Sequence, residues 1–204
     1  SPLSLKFKET GSLSFPNQKI SGPEDVAFAF QFLRNEVQEN FYLVAVKGDQ
    51  AVAVEHLHVG SINMSLVSTY EMMALLQAHG ADGFYMVHHH PSGAINPSRE
   101  DFAITQKADE DMGKIGVKYL GHVIINGDKF GFIDKDYQSS AYPHAEYAKT
   151  KNVSVLKKYA EWKVAKDSRV KISGPESGFE VIKGIEKEDG KAQAILMDQS
   201  NSIQ

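Results

Sequence analysis

"GFYMVHHHPSGAINPSREDFAIT", residues 83–105, decides how the whole chain is read. An apolar run, Phe84 to Val87, leads straight into three histidines, and these stop at a Pro-Ser-Gly turn. A short apolar run bounded by turn residues reads as a buried strand. Pro97-Ser98-Arg99-Glu100-Asp101 then carries a helix start, a capping serine with a carboxylate three residues on. The stretch is strand, turn, helix, with histidines at the end of the strand.

Working outward, the same signals repeat. Residues 22–36, "GPEDVAFAFQFLRNE", read as a helix with Pro23 in its first turn and Val26, Phe30 and Leu33 at helical spacing. "NFYLVAV" (40–46) and "QAVAVEHLHV" (50–59) are strands joined at Gly48-Asp49, a hairpin signal. "SLVSTYEMMALLQAHG" (65–80) reads as a helix with a Ser68/Glu71 capping box and Gly80 past its end. A helix over 98–116 follows the histidines, and "VKYLGHVIIN" turns at Asn126-Gly127 into "KFGFI". Helix, hairpin, helix, strand, helix, hairpin implies an α/β fold, a mixed-direction sheet sandwiched by helices and ending near Asp136.

The expected organisation has four parts. Residues 1–18 read as a loose N-terminal arm, 19–140 as the domain, and 141–169 as a helical linker. The linker helix is placed over 143–167, around Tyr147, Val155, Tyr159 and Trp162. "KISGPED" at 19–25 recurs as "KISGPES" at 171–177, so residues 170–204 read as the start of a second, truncated copy of the domain.

Composition narrows the class. The 204 residues are 42% hydrophobic, enough for one sizeable core. No window approaches a membrane span, and the first residues lack the apolar segment of a signal peptide. A cytoplasmic protein is expected, and without an initiator Met the chain reads as a processed or excised piece of a longer product. The net charge of -4 argues mildly against nucleic acid as a partner, because phosphate neutralisation wants a basic surface. The densest basic stretch, 149–171, reads equally well as a solvated helix face. With no cysteine, any metal must be held by histidine and carboxylate.

Alternate side chains of a strand share a face, so His88 and His90 point one way and His89 the other. Asp101, in the first turn of the next helix, can bring a third ligand. Two imidazoles, a carboxylate and an open position make a hydrolytic rather than a structural zinc site. An activated water needs a base, and Glu55, a lone carboxylate after "AVAV", is the candidate. Ser98 lies where a hydroxyl would stabilise an oxyanion. Taken singly, each has a plainer account: Ser98 and Asp101 as a helix cap, Glu55 as a strand glutamate facing solvent. His56, His58, His79 and His144 read as packing or capping residues.

His88-x-His90, seven residues, Ser98-x-x-Asp101 and an upstream Glu55 together resemble the JAMM (MPN+, JAB) metalloprotease motif. "HHHPSGAINPSREDFAIT" resembles in particular its RadC-like bacterial branch, and the resemblance covers residues 20–135. It implies a cytidine-deaminase-like JAB/MPN sandwich, Zn2+ on His88, His90 and Asp101, Glu55 as general acid/base and Ser98 on the oxyanion. The implied reaction is hydrolysis of an amide or isopeptide bond in a protein or peptide substrate. Two features depart from the branch: His89 stands where Asn is frequent, and Gly121-His122 where Asp-His is frequent, with His122 read as a packing residue. The helix-hairpin-helix region of full-length RadC proteins is not evident. A DNA-repair-associated protein and a non-catalytic interaction module of the same fold stay open as other readings.

Overall fold

The strand read from the histidine stretch is β4, Gly83–His89, and every residue of it is buried. The structure, a computed structural model, describes residues 3–60 and 68–162. In chain order the elements are β1 (Leu3–Pro16), α1 (Pro23–Ala29), a 3₁₀ turn (Gln31–Asn35), β2 (Asn40–Lys47) and β3 (Gln50–Val59). Then come α2 (Thr69–Ala78), β4, α3 (Arg99–Gly113), β5 (Lys118–Ile125), β6 (Lys129–Ile133), β7 (Ser139–Pro143) and β8 (Thr150–Trp162). Residues Leu5–Tyr159 form one compact unit; the other, 1–4 with 160–204, falls almost wholly outside the described residues.

Among the described residues the strands make one mixed sheet in the order β1-β8-β3-β2-β4-β5-β6-β7. β2 pairs antiparallel with β3 and β4, whereas β4 and β5 run parallel. Parallel neighbours need a crossover, and α3 supplies it. The β2–β3 hairpin turns at Gly48 and Asp49, both at positive φ (54° and 62°), as the sequence signal requires.

Helices on both faces explain why β2 and β4 are buried on both sides instead of alternating. On one face Val26, Phe30 and Leu33, from α1 and the 3₁₀ turn, pack on Tyr42, Val44, Tyr85, Val87 and Val123. On the other, Met72, Leu75 and Leu76 of α2 and Ile104, Ala108 and Met112 of α3 cover Phe41, Leu43, Phe84 and Met86. The α/β sandwich expected from the element order is the one observed.

Two expectations are overturned. The N-terminal arm is not loose: most of it is β1, paired with β8 at one side of the sheet. "LSLKF" and "SLSF" carry the period of two that marks it. The helix placed over 143–167 is not a helix either, since β8 occupies 150–162 and pairs with β3 through Val54↔Val155 and Glu55↔Leu156. β-branched Val153 and Val155 pack on the core of the first face, and that tertiary pairing overrides the helical spacing of the aromatic residues. The repeat read from residue 170 onward lies outside the described residues.

The loop from β4 to α3 crosses the sheet against β6. A Cβ on Gly131 would lie 2.1 Å from the Ile95 carbonyl oxygen, a backbone atom that cannot swing away. Asn126 donates to the Gly93 carbonyl in the same loop. Gly131→Ala is expected to push this loop off the sheet and cost about 1–3 kcal/mol, as overpacking does. Thermal or urea unfolding would check it, and an unchanged midpoint would show that Ile95 does not pack on Gly131.

Candidate metal centre

His88 reaches the site because β4 leaves it on the face covered by α2 and α3, on the same side as Met86 and paired in register with Phe41 of β2. His90 follows one residue past the strand. Pro91 and the turn closed by Gly93 N–H to the His90 carbonyl (2.8 Å) then bring the chain back toward α3. Ser98 and Asp101 start that helix reciprocally: the Asp101 N–H donates to Ser98 Oγ at 3.1 Å, and the Ser98 N–H donates to Asp101 Oδ2 at 2.7 Å. The cap read from the sequence is real, and it also aims the carboxylate. Asp101 Oδ1 lies 3.0 Å from His88 Nε2 and Oδ2 lies 3.0 Å from His90 Nε2. The two Nε2 atoms are themselves 3.0 Å apart.

The two imidazole nitrogens lie 3.0 Å apart, and each lies 3.0 Å from a different oxygen of the one Asp101 carboxylate, so two nitrogens and a carboxylate crowd one point as the corners of a small tetrahedron do. An ion 2.0–2.1 Å from each would set them roughly 3.3 Å apart. A shift of a few tenths of an ångström accommodates it, so the residues present fit a zinc ion. Glu39, just before β2, is the carboxylate that reading the sequence missed: it groups with His88 and His90, with ligand atoms within 4.8 Å of one another. The pairing of neighbouring Phe41 with His88 brings it there, a long-range register that no local motif reports.

Electrostatics follow burial. His88 and Asp101 are almost wholly enclosed. Burial by itself raises the Asp101 carboxyl, but the facing His88 and His90 rings outweigh it and hold the group well below the usual carboxylate range. The hydrogen bond with Asp101 raises His90. His122 on β5 is completely buried, which holds it far below its ordinary value and therefore neutral. His89, by contrast, lies on the opposite face and hydrogen-bonds the Gln38 carbonyl at 2.7 Å. His56 stacks on Tyr42 and meets Asn40, while His79 caps α2 through the Leu75 carbonyl. His144 meets the Asn126 carbonyl.

Glu55 is fully buried, and neither carboxyl oxygen has a hydrogen-bond partner among the described residues. Its pairing with Leu43, which in turn faces Met86, puts it on the same side of the sheet as His88. Loss of solvent pushes its pKa from 4.5 up to about 8, against the opposing field of Lys158 on β8. Lys158 is ion-paired with Glu71 of α2. Ser98 lines an open groove of about 430 Å³ with Glu39, His90, Ser92, Asn96 and Asp101.

A mixed sheet, a parallel crossover through α3 and a His-His-carboxylate set at the end of β4 define an α/β domain with a candidate metal centre. The family model for the RadC-like JAB domain matches residues 20–137, and the chain belongs to that family. It is 36% identical over 126 residues to a UPF0758 protein of Alkaliphilus oremlandii, covering 60% of this chain and 53% of that one. Over 113 residues it is 37% identical to a UPF0758 protein of Bacillus pumilus (54% and 50% covered). Over 117 residues it is 32% identical to one of Methanosarcina mazei (56% and 51%). The chain thus spans about half the length of the curated relatives it matches. No helix among the described residues is long and apolar enough to cross a membrane.

His88→Ala is expected to lose stoichiometric zinc, read by metal analysis of the purified chain, while His89→Asn on the opposite face keeps it. Full zinc in His88→Ala would remove that residue from the ligand set. Glu55 generates a second expectation. The folded chain holds its proton more tightly than the unfolded chain, so this contribution to stability is full below pH 4.5 and is lost as pH rises through about 8. In metal-free protein, Glu55→Gln should flatten that decline when unfolding is compared at about pH 5 and about pH 9. Equal slopes in parent and variant would contradict the buried, unpartnered carboxyl.

Proposed function

We propose that this domain is a zinc-dependent amide hydrolase of the JAMM type, acting as a peptidase or isopeptidase on a protein or peptide substrate. The observation that carries the reading is the convergence of His88, His90 and Asp101 donor atoms at 3.0 Å beside an open groove. Bound by these three residues, zinc would supply Lewis-acid activation of a water, an ion of that kind lowering the pKa of bound water to about 7. The chain's own residues divide the remaining work.

Glu55 accepts a proton from the attacking water and returns it to the leaving amine. A carboxyl raised to about 8 suits a group that must take and give a proton near neutrality. Ser98 Oγ accepts the Asp101 N–H through a lone pair, which leaves its hydroxyl hydrogen to donate to an oxyanion. Glu39 and Glu100, which also line the groove, repel a phosphate backbone and favour a peptide over nucleic acid.

Glu55→Gln is expected to retain zinc and folding while losing hydrolysis by a factor on the order of 10²–10⁴. The measurement is turnover of a substrate found by screening the parent on ubiquitin-like and peptide panels, with Glu39→Gln in parallel. If Glu55→Gln turns over like the parent, Glu55 is not the base. A loss confined to Glu39→Gln would transfer the role to the carboxylate beside the histidines.

A further inference from the structure

His122 has no ligand or acid–base role in the reading above, yet it is wholly buried and both of its ring nitrogens are engaged. Nε2 lies 2.7 Å from His88 Nδ1, and Nδ1 lies 2.8 Å from Thr105 Oγ1. Thr105, one turn along α3 from Asp101, places the same hydroxyl 2.6 Å from the Asp101 backbone carbonyl. Phe41 packs against both rings, 5.9 Å from His88 and 5.6 Å from His122 between centroids.

The direction of each hydrogen bond follows from an inventory of hydrogens. A carbonyl has none, so the Thr105 hydroxyl must donate to Asp101. A hydroxyl has only one, so toward His122 it can act only as acceptor, and His122 Nδ1 carries the hydrogen. A neutral imidazole has one N–H, so His122 Nε2 is bare and accepts. His88 Nδ1 must therefore be the donor, and Nε2, which meets only Asp101 and His90, is the nitrogen free to give up any hydrogen it shares with the Asp101 carboxylate and offer a lone pair. That is the atom 3.0 Å from both His90 Nε2 and Asp101 Oδ1.

We infer that Thr105 and His122 form a relay that holds a hydrogen on His88 Nδ1, so that Nε2 is the nitrogen turned to the metal position and supplies its lone pair there. Its purpose rests on the metal reading of the site, though its geometry does not. In water a neutral histidine favours the hydrogen on Nε2, which here would put a hydrogen where the metal belongs. His90 needs no such device, because its Nδ1 donates directly to the Ala94 carbonyl at 2.9 Å. His88 lies in the strand interior, where backbone groups are committed to the sheet, and takes its acceptor from β5 instead. The relay begins on the backbone of Asp101, so α3 sets one ligand directly and orients another through two side chains. Thr105 and His122 are positioning residues, of the kind whose loss in metal sites weakens affinity without touching the ion.

The test is made on the full chain labelled with ¹⁵N at histidine. In metal-free parent protein, long-range ¹H–¹⁵N correlations should show a hydrogen on Nδ1 of both His88 and His122. Thr105→Val keeps the shape and removes the hydroxyl; it should release His88 toward Nε2–H and weaken zinc binding, measured by chelator competition, about 10–100-fold. Thr105→Ser should restore both. A His88 with no hydrogen on Nδ1 in the metal-free parent overturns the relay, whether or not the valine variant folds. So does a Thr105→Val protein with parental zinc affinity and an unchanged tautomer. A parent that binds no zinc would sink the metal reading, while its tautomer spectrum would still decide the relay.

Discussion

Everything at this centre depends on the reciprocal hydrogen bonds between Ser98 and Asp101. A helix start leaves N–H groups without partners, and a Ser-x-x-Asp box satisfies two of them locally. Here the same bonds also fix where the Asp101 carboxylate points. Its Oδ2 takes the Ser98 N–H, and the two oxygens face His90 and His88. Without the cap, α3 would begin elsewhere and the three donors would not meet.

The second constraint is dielectric. The face covered by α2 and α3 encloses His88, Asp101, His122, Thr105 and Glu55 on the side of Phe41, Met86 and Ile104. Polar groups removed from water cost several kcal/mol each unless something satisfies them. His122 and Thr105 are satisfied by one another and by their neighbours, and they turn that necessity into orientation. Glu55 has no such partner among the described residues, and burial raises its pKa. A buried carboxyl without a partner is poor design for a scaffold and useful design for a proton carrier. β8 adds to the balance from outside the family match, since it pairs with β3 beside Glu55 and carries Lys158.

Much of this was legible in the sequence, for reasons that can be given residue by residue. Period-two geometry is enough to separate His88 from His89, because neighbouring strand side chains point to opposite faces. The box Ser98-x-x-Asp101 marks the start of α3, because a cap acts over three residues. Apolar runs marked β2 and β4, and Gly48-Asp49 marked their neighbour's hairpin. The helix misplaced over 143–167 has a cause of its own. "KTKNVSVLKKYAEW" carries weak, mixed periodicity, and only its place between β1 and β3 makes it a strand.

By itself, then, the sequence determined the α/β class, the strand-turn-helix that carries the candidate ligands, and which of three histidines faces away. These are local properties, set by covalent spacing and by the periods of strand and helix. Tertiary structure alone decided that Glu39 joins the histidines, that Glu55 has no hydrogen-bond partner among the described residues, and that His122 bonds to His88 instead of merely packing. Each of these depends on register between strands: Phe41 against His88, Leu43 against Glu55, Met86 against His122. Register is chosen by burial over the whole sheet, and no short stretch of residues contains it.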